Sequence, residues 1–331
     1  MLRYGSSVII LALSLAAGGH AQSNTPATLD LEIANLLIYR HDVFDATRVA
    51  TETGPTTPLA LRNFMNVTWI GDVVAVNGTP AKGTLTVRGT FVSLNRNPTV
   101  GTGVADTNNG LASDWIFDLQ RADGSPIGSI MASGWAFGDR TAGVLAPGQG
   151  NLAILGGTGA FVGARGQAKE LGVTAGARST ASITEDPANR RILGGSTRRY
   201  SLQLIPMERP QFVGSAGGPA IYHADFLPVT AANPARRGEV LIAAVSGLGP
   251  TLPGKQPGAV FAAEPLQPVA APVQVVVNAT AVSTLNQVGW PGTGGTYRID
   301  FRVPAETAAG IATVQVVAAW IPGSTIEIPV Q

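Results

Sequence analysis

The sequence predicts an all-β protein: an eight-stranded antiparallel barrel followed by an immunoglobulin-like β-sandwich. Three observations carry this reading. Almost every periodic segment alternates with period two, the mark of half-buried strands. Turn formers are abundant, with 41 Gly and 23 Pro in 331 residues. Charge is sparse, at 13% of residues against roughly 25% in an ordinary soluble domain. No segment gives a long helical pattern.

In chain order, residues 1–21 read as a signal peptide. Arg3 supplies the positive start, "SSVIILALSLAAGG" the apolar core, and Gly19-His20-Ala21 the small residues of a cleavage site. The apolar run is too short for a membrane span. The expected mature chain is secreted, periplasmic or on the cell surface. Residues 24–207 hold about eight strands. "TLDLEIANLL" alternates. "TLTVRGTF" puts Leu85, Val87 and Phe91 on one face. "DWIFDLQ" sets Trp115, Phe117 and Leu119 against Asp114, Ile116, Asp118 and Gln120, and "YSLQL" groups Tyr200, Leu202 and Leu204. Asn77-Gly78, Asp123-Gly124 and Gly156-Gly157 mark turns between them. Residues 208–222, rich in Pro and Gly, read as a linker. Residues 223–331 hold regular strands whose number and rhythm suit a sandwich. In "TYRIDFRV", Tyr297, Ile299, Phe301 and Val303 share one face.

Composition narrows the function classes. The net charge is +1, and the basic pairs Arg190–Arg191, Arg198–Arg199 and Arg236–Arg237 are too short for a nucleic-acid track. Without Cys there is neither thiol chemistry nor a Cys-based metal site. After the leader only His41 and His223 remain, one in each half. That argues against a metal site and against a Ser-His-Asp triad. No cofactor is expected.

The stretch "LAILGGTGAFVGARGQAKEL", residues 152–171, poses a choice. A glycine turn after a strand can cradle a phosphate at a helix start. Here Gly156, Gly157, Gly159 and Gly163 miss the G-x-G-x-x-G spacing, and the following residues carry no helical apolar stripe. A sharp corner in a β-barrel uses the same glycines for positive φ and close backbone approach.

The turn also resembles a known motif. Gly156 to Gly159, Phe161 and Ala164-Arg165-Gly166 match the GGTG-x-F-x-x-ARG run of dirigent proteins. Gly163, Gln167 and Lys169 extend the match to the related run of allene oxide cyclases. The resemblance implies a small eight-stranded barrel around an apolar cavity, with Gly156, Gly157, Gly159 and Arg165 building the turn. It places Glu32 at the cyclase acid and Asn77 at a pocket Asn, while Phe91 falls near the pocket Cys of that family. Ala34 and Val43 fall near two further pocket positions. The dirigent Asp and Arg fall on Ala136 and on Gln149 or Gly150, with Asp139 and Arg140 nearby. The C-terminal part resembles the Solibacter-type module of exported bacterial proteins. Its pattern is carried by Gly238-Glu239-Val240, Gly247-Leu248-Gly249-Pro250, Tyr297, Ile299, Val303-Pro304 and Gly310.

The expectation is a barrel that holds a small apolar molecule, lined by Trp69, Trp115, Phe117, Phe91 and Asn77, with a C-terminal docking or adhesion module. Self-association through the barrel is a further expectation. A cyclase or isomerase using Glu32 as acid or base is the second reading, and a structural or adhesive surface protein the third. Each candidate has a plain structural role to weigh against it. Glu32 on an alternating strand belongs to the outer face, Asn77-Gly78 is a hairpin turn, Arg165 braces a corner, and the tryptophans fill a core.

Overall fold

The computed structural model describes residues 26–41, 64–93, 109–136, 150–215 and 218–331. The leader expected at 1–21, together with Asp139 and Arg140, lies outside the described residues. The chain is all-β, as its alternation requires. Its first half runs β1 (Ala27–Arg40), β2 (Phe64–Val76), β3 (Thr79–Pro80), β4 (Lys82–Ser93), β5 (Asn109–Gln120) and β6 (Pro126–Ala136). Then follow β7 (Asn151–Gly157), β8 (Arg165–Thr174), β9 (Thr180–Ser182), a short helix α1 (Asn189–Leu193) and β10 (Ser196–Ile205). Strands β1, β2, β4, β5, β6, β7, β8 and β10 pair antiparallel in that order, and β10 returns to β1, which closes an eight-stranded barrel. The small β9 pairs parallel with the end of β1.

Alternation is clearest in the first half of β1 and along β5. Leu29, Leu31 and Ile33 point inward from β1, while Asp30 and Glu32 point out. Trp115, Phe117 and Leu119 point inward from β5. Fully burying such a side chain stabilises the fold by about 1.5–3 kcal/mol, so a slip of one residue on any of these strands would be costly.

The two ends of the barrel differ. At one end the connections are short: the Asn77–Gly78 turn, the Arg121–Ser125 turn and the glycine corner 158–164. The connections at the other end, 41–63, 94–108, 137–150 and 175–195, are longer.

The second half holds β11 (Gln211–Phe212), β12 (Gly214–Ser215), β13 (Gly218–Pro219), β14 (Ile221–Tyr222), β15 (Val240–Ser246) and β16 (Val273–Val277). It ends with β17 (Thr280–Val282), β18 (Thr284–Gly289), β19 (Tyr297–Arg302), β20 (Gly310–Ala318) and β21 (Ile321–Val330). One sheet orders β11, β15, β19 and β18, with β14 also on β15; another orders β17, β16, β20 and β21. Leu241, Val245, Ile299 and Phe301 from the first sheet share a core with Val275, Val314 and Val316 from the second. Within the stretch expected as a linker, Gln211, Phe212, Ile221 and Tyr222 are strand residues paired with β15. The glycines and prolines there break the segment into two-residue strands.

The second half packs against the short-turn end of the barrel. Arg121, in the β5–β6 turn, donates from Nε to the Ala270 carbonyl at 2.6 Å and from Nη2 to the Val269 carbonyl at 2.8 Å and the Ala271 carbonyl. Gly249 lies against Ala160 of the glycine corner. A guanidinium matched to three carbonyls is a charge-assisted set with fixed geometry. Arg121→Ala is expected to split calorimetric unfolding into two transitions, whereas the wild type melts as one. A single transition in both proteins would show that this contact does not couple the halves.

Candidate functional site

The glycine corner is a structural element. After β7, Thr158 leads into a single 3-10 turn, Gly159–Phe161, and the chain re-enters the barrel as β8. Gly159 has φ +61°, and a Cβ there would lie 2.3 Å from the Ile127 carbonyl oxygen. A Cβ on Gly157 would meet the Phe161 and Ser129 carbonyl oxygens at 2.5 and 2.7 Å. Thr158 secures the corner. Its amide donates to the Ser129 carbonyl at 2.8 Å, and its hydroxyl accepts from the Ser129 amide at 3.1 Å. Phe161 is buried beneath. Gly156 lies at the end of β7 beside the Arg165 guanidinium, which donates to the Ala164 carbonyl at 2.9 Å. Within the corner the Phe161, Val162 and Ala164 amides donate to the Thr158, Gly159 and Phe161 carbonyls.

The expected pocket residues fall in three places. Trp69, Trp115 and Phe117 are inside the barrel and touch one another. Trp115 sits at the centre, with ring centroids 5.3 Å from Trp69, 6.1 Å from Phe117 and 5.3 Å from Tyr200. All four side chains are fully buried. Phe91 is half-buried near the long-connection end, packed against the same core. Asn77 and Glu32 are elsewhere. Asn77 (φ +49°) and Gly78 (φ +72°) form the β2–β3 turn. The Asn77 amide group reaches β1, accepting from the Asp30 amide at 2.7 Å and donating to the Thr28 carbonyl at 3.2 Å. Glu32 is exposed on the outer face, in register with Arg199, so its strand position supplies no desolvated acid.

A polar cluster sits inside the barrel against these rings. Arg198 on β10 donates from Nη1 to Glu170 Oε2 at 2.6 Å, and its guanidinium lies 4.6 Å over the Trp69 ring. The Tyr200 hydroxyl donates to the same Glu170 oxygen at 3.2 Å. Burial, with the Glu170 charge adding to it, pushes the Tyr200 phenol well above its ordinary range. Trp115 Nε1 donates to Ser113 Oγ at 2.7 Å. The sequence held a signal for Arg198: carrying the period of Tyr200, Leu202 and Leu204 two residues back puts it on the inner face.

The outer face carries a groove of about 750 Å³, lined among others by His41, Asn66, Arg88, Thr90, Asp114 and Ser133. Strand register builds it. Asn66, Thr90 and Ala112 form one row across β2, β4 and β5; Thr68, Arg88, Asp114 and Ser133 form the next across β2 to β6. The rows are bonded internally. Thr90 donates to Asn66 at 2.7 Å, Ser133 donates to Asp114 at 2.7 Å, and His41 Nε2 lies 2.7 Å from the Thr68 hydroxyl. Sequence reasoning did not assemble these residues, because only cross-strand pairing brings them together.

A second outer cluster fastens α1 to the wall. Asp72 on β2 accepts from Asn35 at 3.1 Å, from both Nε and Nη2 of Arg191 at 3.1 and 2.9 Å, and from Arg190. Burial alone would raise the Asp72 pKa, but the bonds from Arg191 and Asn35 and the charge of Arg190 hold it below 3.8. A depressed carboxylate stabilises the fold above its unfolded pKa and loses that contribution as pH falls through the folded value. Hydrogen exchange in α1, taken relative to the intrinsic rate at each pH, is therefore expected to accelerate below about pH 3.8 in the wild type. In Asp72→Asn it is expected to be fast already at neutral pH. Equal protection in both proteins at neutral pH would remove Asp72 as the latch.

Among the described residues no group of three or more His, Cys, Asp or Glu is placed to hold a metal ion, and no helix is long and apolar enough to cross a membrane. No family model matches the chain, and no curated protein matches it. One solved structure, a polysaccharide lyase, aligns at 9% identity over 93% of this chain and 40% of its own, with a TM-score of 0.18. That score is too low for a shared fold.

Proposed function

We propose that the protein is a non-catalytic, exported surface-binding protein in which the barrel is a filled scaffold and recognition takes place on its outer wall. The observation that carries this reading is the interlocked set Trp69, Trp115, Phe117 and Tyr200, which occupies the interior where the apolar ligand was expected. An eight-stranded barrel has room either for side chains or for one small ligand. The cyclase reading draws no support from an exposed Glu32. The two C-terminal sheets share inward residues, which supports an immunoglobulin-like sandwich serving as a docking or adhesion module.

The test is titration with an anilinonaphthalene dye and with laurate, read by fluorescence and by native mass spectrometry. The expected result is no stoichiometric complex with either probe. One molecule of laurate per chain, competing with the dye, would overturn the filled-scaffold reading. It would favour a second one, in which an amphipathic carboxylate enters beside Arg198. The buried Arg198 Nε has no hydrogen-bond partner, which is the observation that favours such a ligand. In that case Arg198→Met would abolish the complex.

A further inference from the structure

We propose that the outer groove across β2, β4, β5 and β6 is a carbohydrate-binding site, with Trp135 as its stacking platform. The proposal rests on the exterior-binding reading and adds the ligand class. Trp135 points outward from β6 and is 43% exposed, although a large indole is normally covered. Its partner in register is Ala112, which lines the groove. The neighbour of the indole on β5 is thus only a methyl group. Two residues back on the same face, Ser133 pairs with Asp114 and opens the polar row.

The polar lining fits a neutral polyhydroxyl ligand. Arg88 and Asp114 stand opposite each other in register, so the groove carries both signs and selects neither an anion nor a cation. Asn66, Thr90 and Ser133 present hydroxyl and amide groups that can donate or accept. Their mutual bonds hold them in place before any ligand arrives, which lowers the ordering cost of binding. A pyranose ring matches this pattern, with a C–H face for the indole and a rim of hydroxyls for the polar rows. The groove volume, about 750 Å³, lies within the usual range of about 300–1,000 Å³ for small-molecule sites, enough for a short run of sugars. A polynucleotide would need a basic track, which Asp114 interrupts.

The experiment is native affinity electrophoresis of the full chain in gels containing xylan, hydroxyethylcellulose, galactomannan or dextran, against a gel without polymer. Wild-type protein is expected to be retarded in at least one polymer. Trp135→Ala is expected to weaken that retardation about tenfold or more, the scale of losing an aromatic anchor. Trp135 is an exposed residue, so the variant is expected to keep the wild-type circular dichroism spectrum. Leu285→Ala, an exposed position in the second half, is expected to migrate as wild type in every gel. Unretarded wild-type protein in all four polymers would overturn the proposal. Equal retardation of wild type and Trp135→Ala would overturn it as well. The laurate titration on the same samples separates the two levels: uptake of laurate sinks the filled scaffold, whereas absent retardation without uptake sinks only the carbohydrate assignment.

Discussion

Trp115→Ala is expected to lower barrel stability by about 3–5 kcal/mol, the range for removing a buried Trp. The indole contacts three other rings and donates to Ser113 Oγ, so its loss removes the centre of the packed interior. Trp115→Phe separates the contributions. It keeps most of the apolar volume and loses one hydrogen bond, with an expected cost nearer 1 kcal/mol. Urea denaturation followed by near-ultraviolet circular dichroism reads both values. The alanine variant also makes a qualitative test. Its new void is lined by Trp69, Phe117 and Tyr200, and an apolar cavity of that kind takes up small aromatics. Benzene is therefore expected to raise the Tm of Trp115→Ala and to leave the wild type unchanged. An equal rise in both would mean that the native interior already holds empty space.

Breaking the internal ion pair is the second large effect. The side chains of Arg198 and Glu170 are 9% and 14% exposed. Glu170→Ala removes the carboxylate that Arg198 bonds inside the barrel, at an expected cost of about 3–5 kcal/mol, and Arg198→Ala breaks the same pair from the other side. Replacing both at once, Arg198→Met with Glu170→Leu, is expected to be nearly neutral, because neither charge then has to be desolvated. Arg198→Lys is expected to fall between these. It keeps the charge, but its ammonium cannot reproduce a planar guanidinium stacked on Trp69 while bonding Glu170. A double variant as unstable as either single one would show that the pair is held for its shape and not for its charge.

These residues also show how far the sequence could be read. Period-two alternation on β1, β4, β5, β10 and β19 placed the inner faces, because a strand half in water has no freedom to hide its pattern. The same alternation set Glu32 beside Asp30 on the outer face, against the role its family resemblance implied. The Asn77-Gly78 turn was legible because both residues need positive φ. Arg198 was obscured by Arg199: a dibasic pair looks like a solvated surface feature, yet a strand sends its two side chains to opposite sides. Glu170 was hidden because β8 reads "RGQAKELGVT", with glycines and charges on both faces. The groove was illegible for a different reason. Asn66, Arg88, Asp114 and Ser133 are separated by whole strands, and only the register of four strands makes them neighbours.

The bracket that Asn77 forms over the first residues of β1 has a mechanical meaning. Ala27 lies beside Leu204, next to the point where the chain leaves β10 for the second half. Tension between a point before Ala27 and the C-terminal sheets would therefore enter the barrel at one end and act directly on β1. There the ladder to β2 has not yet begun, since its register starts at Leu31. The bonds from Asn77 to Thr28 and Asp30 span that gap and bring a second strand under strain from the first residues of β1. The outer groove lies away from this line of force. A bound ligand there would be spared the first distortion, which the bracket and the β1–β10 ladder would share.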